Sequence, residues 1–138
     1  MVITATSLKE RQRILVMDNN EDMLTLLYRT LELEGYDVVV VGDYDEALSL
    51  FQEVNPDMVI MDTFASYDES IHILDAMREQ SDVPIVVITA DSQIEALKEV
   101  FAHGADDFIR KPFAVKPFIA RIRATLRRYN GEVLQAIN

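Results

Sequence analysis

The sequence predicts a doubly wound α/β fold: five parallel strands, each followed by a helix, in one domain. Three observations carry this. Four short apolar runs, Ile14–Met17, Val38–Val41, Met58–Met61 and Ile85–Ile88, are continuous rather than alternating and rich in β-branched residues. Strands buried on both faces of a parallel sheet have this character. Between the runs, apolar residues recur at helical spacing. The length, 138 residues of which 49% are apolar, suffices for one core and calls for no second.

The elements follow in order. After the first run, Leu24, Leu27 and Leu31 mark a helix, and Gly35 ends it as the residue beyond the cap. After the second run, Asp43 with Glu46 reads as an acidic variant of a capping box, opening a helix with Ala47, Phe51 and Val54 on its inner face. Asn55-Pro56 leads into the third run, and Leu74 with Met77 marks the third helix. Val83-Pro84 leads into the fourth run. Ile94, Leu97 and Phe101 form the fourth helical stripe, closed by Gly104. Phe108–Ile109 is a weaker fifth strand. Val115, Ile119, Ile122 and Leu126 give the last helix, with Pro117 in its first turn, where proline is tolerated. Residues 1–12 read as a leader, 13–129 as the domain and 130–138 as a tail or the start of a linker.

Composition removes several functions. Without cysteine there are no disulfides, thiolate metal sites or cysteine nucleophiles. No apolar stretch approaches the ~18 residues of a membrane span, and Met1–Arg13 carries no apolar run of a signal peptide. The net charge of −11 argues against direct nucleic-acid binding by this domain. That average hides a split: residues 1–107 hold 23 acidic and 6 basic side chains, residues 108–138 hold 1 and 7. Neither G-x-x-x-x-G-K-[ST], G-x-G-x-x-G nor G-x-S-x-G occurs.

In a doubly wound sheet, ligands bind beyond the carboxyl ends of the strands. The first strand ends in Asp18-Asn19-Asn20, the third in Asp62-Thr63, the fourth in Thr89-Ala90 and the fifth in Arg110-Lys111-Pro112. With the strands ordered 2-1-3-4-5, these ends converge. Two carboxylates close together repel unless a cation or proton intervenes, and Mg²⁺ suits such oxygens. Lysine and threonine suit a phosphoryl group. The set fits phosphoryl transfer with an aspartate nucleophile. The plainer alternative makes Asp18 or Asn19 a cap of the first helix and Thr89 or Asp91 a cap of the fourth. Asp57, Asp106 and Asp107 lie at the opposite edge and read as surface. His72 and His103 fall on helices, as surface or packing residues.

At these residues the chain resembles the receiver domains of two-component response regulators. The resemblance runs from about Arg13 to Arg128 and rests on ILVMDNNEDM (14–23), PDMVIMD (56–62), VPIVVITA (83–90), GADDFIRKPF (104–113) and IARIRATLRR (119–128). It implies a flavodoxin-like fold and a cytoplasmic phosphoacceptor switch rather than an enzyme. It implies phosphorylation of Asp62 by a sensor histidine kinase or phosphotransfer protein. Mg²⁺ is then held by Asp18, position 19, Asp62 and the backbone carbonyl of Phe64. Thr89 and Lys111 bind phosphoryl oxygens, and Phe108 is the aromatic switch that follows Thr89. The Lys111–Pro112 bond is often cis in this family. The last helix is most similar to the subfamily with a downstream winged-helix DNA-binding domain, which implies transcription regulation as output. A homodimer through the fourth helix, fifth strand and fifth helix is implied by Asp107 and Arg121, which match a charge pair of that face.

The chain departs from the family pattern in three places. Asn19 replaces a second acid, which removes one charge from the metal site and implies weaker Mg²⁺ binding. Phe64-Ala65-Ser66-Tyr67 and Ser70 replace a Met-Pro-Gly-like turn and a later glycine, and Phe64 is expected to shield an acyl phosphate from water. Leu97 and Pro117 stand where lysine and glutamate are usual, so the dimer face is expected to pair more by apolar contact, or not at all. Asn19 and the altered loop motivate an alternative: a phosphorylation-independent pseudo-receiver that acts as a protein-interaction module. An aspartyl-phosphate hydrolase is disfavoured, because Phe64 stands where the D-x-D motif of that class carries its second acid.

Overall fold

The computed structural model describes residues 11–63, 67–90 and 94–137. Five strands alternate with five helices: β1 Arg13–Met17, α1 Glu21–Leu33, β2 Asp37–Val41, α2 Tyr44–Val54, β3 Met58–Asp62, α3 Tyr67–Gln80, β4 Ile85–Thr89, α4 Ile94–Ala102, β5 Asp107–Arg110 and α5 Val115–Ile137. All pairings are parallel and the order is β2-β1-β3-β4-β5.

The apolar runs of β1, β3 and β4 are buried because helices cover both faces of the sheet, whereas edge strand β2 leaves Val40 36% exposed. Ile14, Val16, Met58, Ile60, Val86, Ile88 and Ile109 pack with Leu27 and Leu31 of α1 and Phe118, Ile119, Ile122 and Leu126 of α5. On the other face Leu15, Met17, Val59, Met61 and Val87 pack with Ala47 and Phe51 of α2, Leu74 and Met77 of α3, and Val100 of α4.

Several expectations shift by a residue or a face. The stripe of α4 is Leu97 with Val100, whereas Phe101 is 40% exposed. In α5 the inward residue of the first turn is Phe118, fully buried, and Val115 is 45% exposed. Asp43 caps α2 by accepting from the Asp45 N–H (2.9 Å), one residue earlier than a capping box uses. His103 lies one residue beyond α4, with Nδ1 2.7 Å from Asp75 Oδ1. The boundary expected at 129 falls inside α5, which runs to Ile137. Residues 11 and 12 are docked rather than loose. Arg11 donates to the Gly35 and Tyr36 carbonyls (3.2 and 3.0 Å), and the Gln12 carbonyl accepts from Asp37 N–H at 2.9 Å.

The acidic residues at the amino edge of the sheet bind strand starts. Asp57 Oδ2 accepts the Arg13 N–H at 2.7 Å, and Asp106 Oδ2 accepts the Ile85 N–H at 2.7 Å. Arg78 of α3 joins this edge, donating to the Gly104, Ser81 and Val83 carbonyls and to Asp106. Gly104 closes α4 at φ +107°, and a Cβ there would meet Arg78 Nε at 2.8 Å. Gly35 ends α1 at φ +94° with nothing within 4 Å of an added Cβ.

The two glycines separate backbone strain from lost space. Gly35→Ala is expected to cost only the positive φ, ~1–2 kcal/mol in urea unfolding. Gly104→Ala is expected to lose ~1–3 kcal/mol more, because displaced Arg78 leaves carbonyls unpaired. Equal losses would show that Arg78 moves freely.

Candidate functional site

The site is built by register. Met17 of β1 pairs with Met61 of β3, so the next residues, Asp18 and Asp62, stand side by side where strands lie ~4.8 Å apart. Asp62 in turn pairs with Ile88, which puts Thr89 one position beyond it on β4. Thr89 pairs with Arg110, and its carbonyl accepts the Lys111 N–H at 2.8 Å. The chain reverses direction across the sheet between β1 and β3, so these ends line the crevice of a topological switch point.

Three charged side chains meet there. Lys111 Nζ lies 2.9 Å from Asp62 Oδ2 and 3.9 Å from Asp18 Oδ2. Asp18 is 1% exposed and Asp62 8%. The second oxygen of each carboxylate has a backbone partner: Asp18 Oδ1 accepts from Asn20 N–H (2.9 Å) and Asp62 Oδ1 from Thr63 N–H (2.8 Å). Asp18 Oδ2 is buried and accepts no hydrogen bond. Burial, with the Asp62 charge adding to it, pushes the Asp18 carboxyl up from the ordinary range to about 6.

The capping alternative for Asp18 and Asn19 fails. The cap of α1 is Asn20, whose Oδ1 accepts from Met23 N–H at 2.9 Å. Asp18 is thus left for the crevice, and Asn19 is exposed. Thr89 is fully buried. Phe108 is half-buried and meets the exposed Phe101 edge-on, with ring centroids 5.6 Å apart. The Lys111–Pro112 bond is cis. Phe64 and Asp91 lie outside the described residues.

A buried carboxylate oxygen without a donor, beside a second carboxylate, fits a hard cation, which would supply the missing contact. The donors are oxygens, as Mg²⁺ requires. Among the described residues no cluster of three His, Cys, Asp or Glu side chains forms a fuller cage.

The strand-end carboxylates, the lysine that bridges them and the five-stranded order coincide with one family. Residues 14–123 match the model described as the response regulator receiver domain. The chain belongs to that family. The receiver is 38% identical over 128 residues to the DNA-binding response regulator MtrA of Mycobacterium leprae, covering 93% of this chain and 57% of that protein. It is similar to the structure of the Francisella response regulator 1452 receiver domain (TM-score 0.78, 28% identity, 86% of this chain, 99% of that one). It is also similar to the BeF3-activated N-terminal receiver domain of Klebsiella pneumoniae RstA (TM-score 0.78, 26% identity, 83% and 98% covered). The receiver spans little more than half the length of MtrA. Among the described residues no helix is long and apolar enough to cross a membrane.

On the fourth-helix, fifth-strand, fifth-helix face, Asp107 and Arg121 form two hydrogen bonds (3.1 and 2.7 Å) within one chain. Leu97 is 7% exposed and packs inward, so it offers no apolar surface to a second copy. Sequence reasoning missed Ser70, which is buried and donates from Oγ to the Thr63 carbonyl at 2.8 Å. Its only signal was a hydroxyl where the family carries glycine.

The raised Asp18 carboxyl sets the sign of a pH effect. Unfolded, this group ionises near 3.8, and folded near 6. The folded chain therefore holds the extra proton between these values, and stability falls as pH rises through the window, with the full cost above it. In metal-free buffer the melting temperature of Asp18→Asn is expected to exceed that of the natural protein at pH 7 and to match it near pH 4. A gap independent of pH would remove the assignment.

Proposed function

We propose that this receiver is a phosphorylation switch with Asp62 as phosphoacceptor. The observation that carries the reading is Lys111 Nζ at 2.9 Å from Asp62 Oδ2, beside a buried Asp18 oxygen that accepts no hydrogen bond. An Asp62 oxygen attacks the phosphorus of a phosphohistidine on a sensor histidine kinase or phosphotransfer protein. An O–P bond forms, the P–N bond breaks, and the imidazole nitrogen keeps the electron pair. Lys111 and the Thr89 hydroxyl hold phosphoryl oxygens. Asp18, Asp62 and the Asn19 amide oxygen, with the Phe64 carbonyl that the family resemblance adds, would hold Mg²⁺, which would supply positive charge for the transfer when bound.

Phe108 then carries the change outward. Its ring rests on Phe101, so movement at Thr89 reaches the face of α4, β5 and α5 as a shift between two states. A homodimer through this face requires the Asp107–Arg121 pair to be exchanged for one between chains. MtrA is a DNA-binding response regulator, and transcription regulation in the cytoplasm is the output we assign, reached through a DNA-binding partner or domain rather than through this acidic one.

A second reading, a pseudo-receiver acting only by protein interaction, is favoured by the two-carboxylate site: Asn19 is neutral, and no third acid joins it among the described residues. Two measurements separate them. Acetyl phosphate with Mg²⁺ is expected to add the mass of one phosphoryl group to the natural chain and none to Asp62→Asn. No gain, or a gain kept in Asp62→Asn, rejects the switch. Mg²⁺ titration is expected to give millimolar or tighter binding, tightened severalfold by Asn19→Asp. Absent binding to the natural chain favours the pseudo-receiver.

A further inference from the structure

We propose that Ser70 is a positioning residue for the Asp62 carboxylate, acting through the peptide groups of Thr63. Thr63 follows the acceptor directly and is held on both sides. Its N–H donates to Asp62 Oδ1 at 2.8 Å and lies 3.2 Å from the Ile88 carbonyl. Its carbonyl accepts the Ser70 Oγ hydrogen at 2.8 Å. Asp62, Thr63 and Ser70 are all buried, so water does not replace these bonds when one is lost.

The bond is not the one a helical serine ordinarily makes. Serine within a helix returns its hydrogen to a carbonyl three or four residues earlier. Ser70, in the first turn of α3, reaches seven residues back, out of its own helix and onto the end of β3. The Ser70 hydroxyl thus ties α3 to the residue beside Asp62. The glycine usual at position 70 in the family could not make this contact.

The consequence is orientational. Asp62 has one oxygen on Lys111 and the other on the Thr63 N–H. A Thr63 backbone free to rotate would release the second oxygen and let the carboxylate turn. Pinning the carbonyl keeps the nucleophile aligned, which acts on the rate of transfer rather than on donor binding.

The rate part of the test rests on the phosphoacceptor reading; a second part does not. Amide hydrogen exchange is measured on the metal-free natural protein, Ser70→Ala and Ser70→Thr. Thr63 exchange is expected to quicken about tenfold in Ser70→Ala, with the Ile60 amide unchanged. Ser70→Thr, which keeps the hydroxyl, is expected to restore protection. With acetyl phosphate and Mg²⁺, Ser70→Ala is expected to lower the saturating rate about fivefold, the worth of one hydrogen bond, at unchanged half-saturating acetyl phosphate. Unchanged Thr63 exchange in Ser70→Ala overturns the proposal, as does a quickening shared equally by Ile60. If the natural chain takes no phosphoryl group, the phosphoacceptor reading falls, and the exchange result alone decides whether Ser70 holds Thr63.

Discussion

The site depends on strand register. Two carboxylates stand together only because Met17 of β1 is level with Met61 of β3. Apolar runs buried on both faces define which segments pair, but they discriminate weakly between one register and its neighbour, since either face accepts them. The amino edge of the sheet supplies the missing discrimination. Asp57 grips the first amide of β1 and Asp106 the first amide of β4, each at 2.7 Å. A slip by one residue would strand both bonds. Acids at one end of the sheet therefore fix where acids meet at the other.

What they meet for is dictated by charge. Lys111 answers Asp62 directly at 2.9 Å but stands 3.9 Å from Asp18 Oδ2. One ammonium thus serves two carboxylates, and a negative charge is left in a buried place. The core that seals the strands stabilises the fold against this repulsion, and the same repulsion is what a divalent cation would relieve under the function proposed above.

The parallel strands and the polar residues at their ends were legible because each is written in a local signal, a β-branched run or a polar residue directly after one; the strand order, on which the convergence of Asp18, Asp62 and Lys111 depends, rested on the resemblance to the receiver family. Helix faces were less legible. Phe101 and Val100, or Val115 and Phe118, differ by a rotation that an apolar spacing leaves open, and the covering neighbour decides it. Least legible were contacts between distant segments. Nothing in Asp57 or Asp106 announces that each binds a strand amide, and nothing in Ser70 that it bonds Thr63. Such pairings exist only once the strands are assembled, and a single sequence records the partners without the pairing.

The uneven charge of the chain takes on a different meaning in the folded state. By charge count alone, the last segment, with 7 basic side chains and 1 acidic, is a cationic stretch on an acidic chain. In the structure three of its five arginines are engaged within the chain: Arg121 with Asp107, Arg123 with Glu34 of the α1 cap, Arg128 with the Thr125 hydroxyl. The two ion pairs are carried by exposed arginines and each is worth little by itself. The segment is therefore partly neutralised within the chain rather than a free positive surface: Arg121 and Arg123 stay exposed while each is held by an acid of another element.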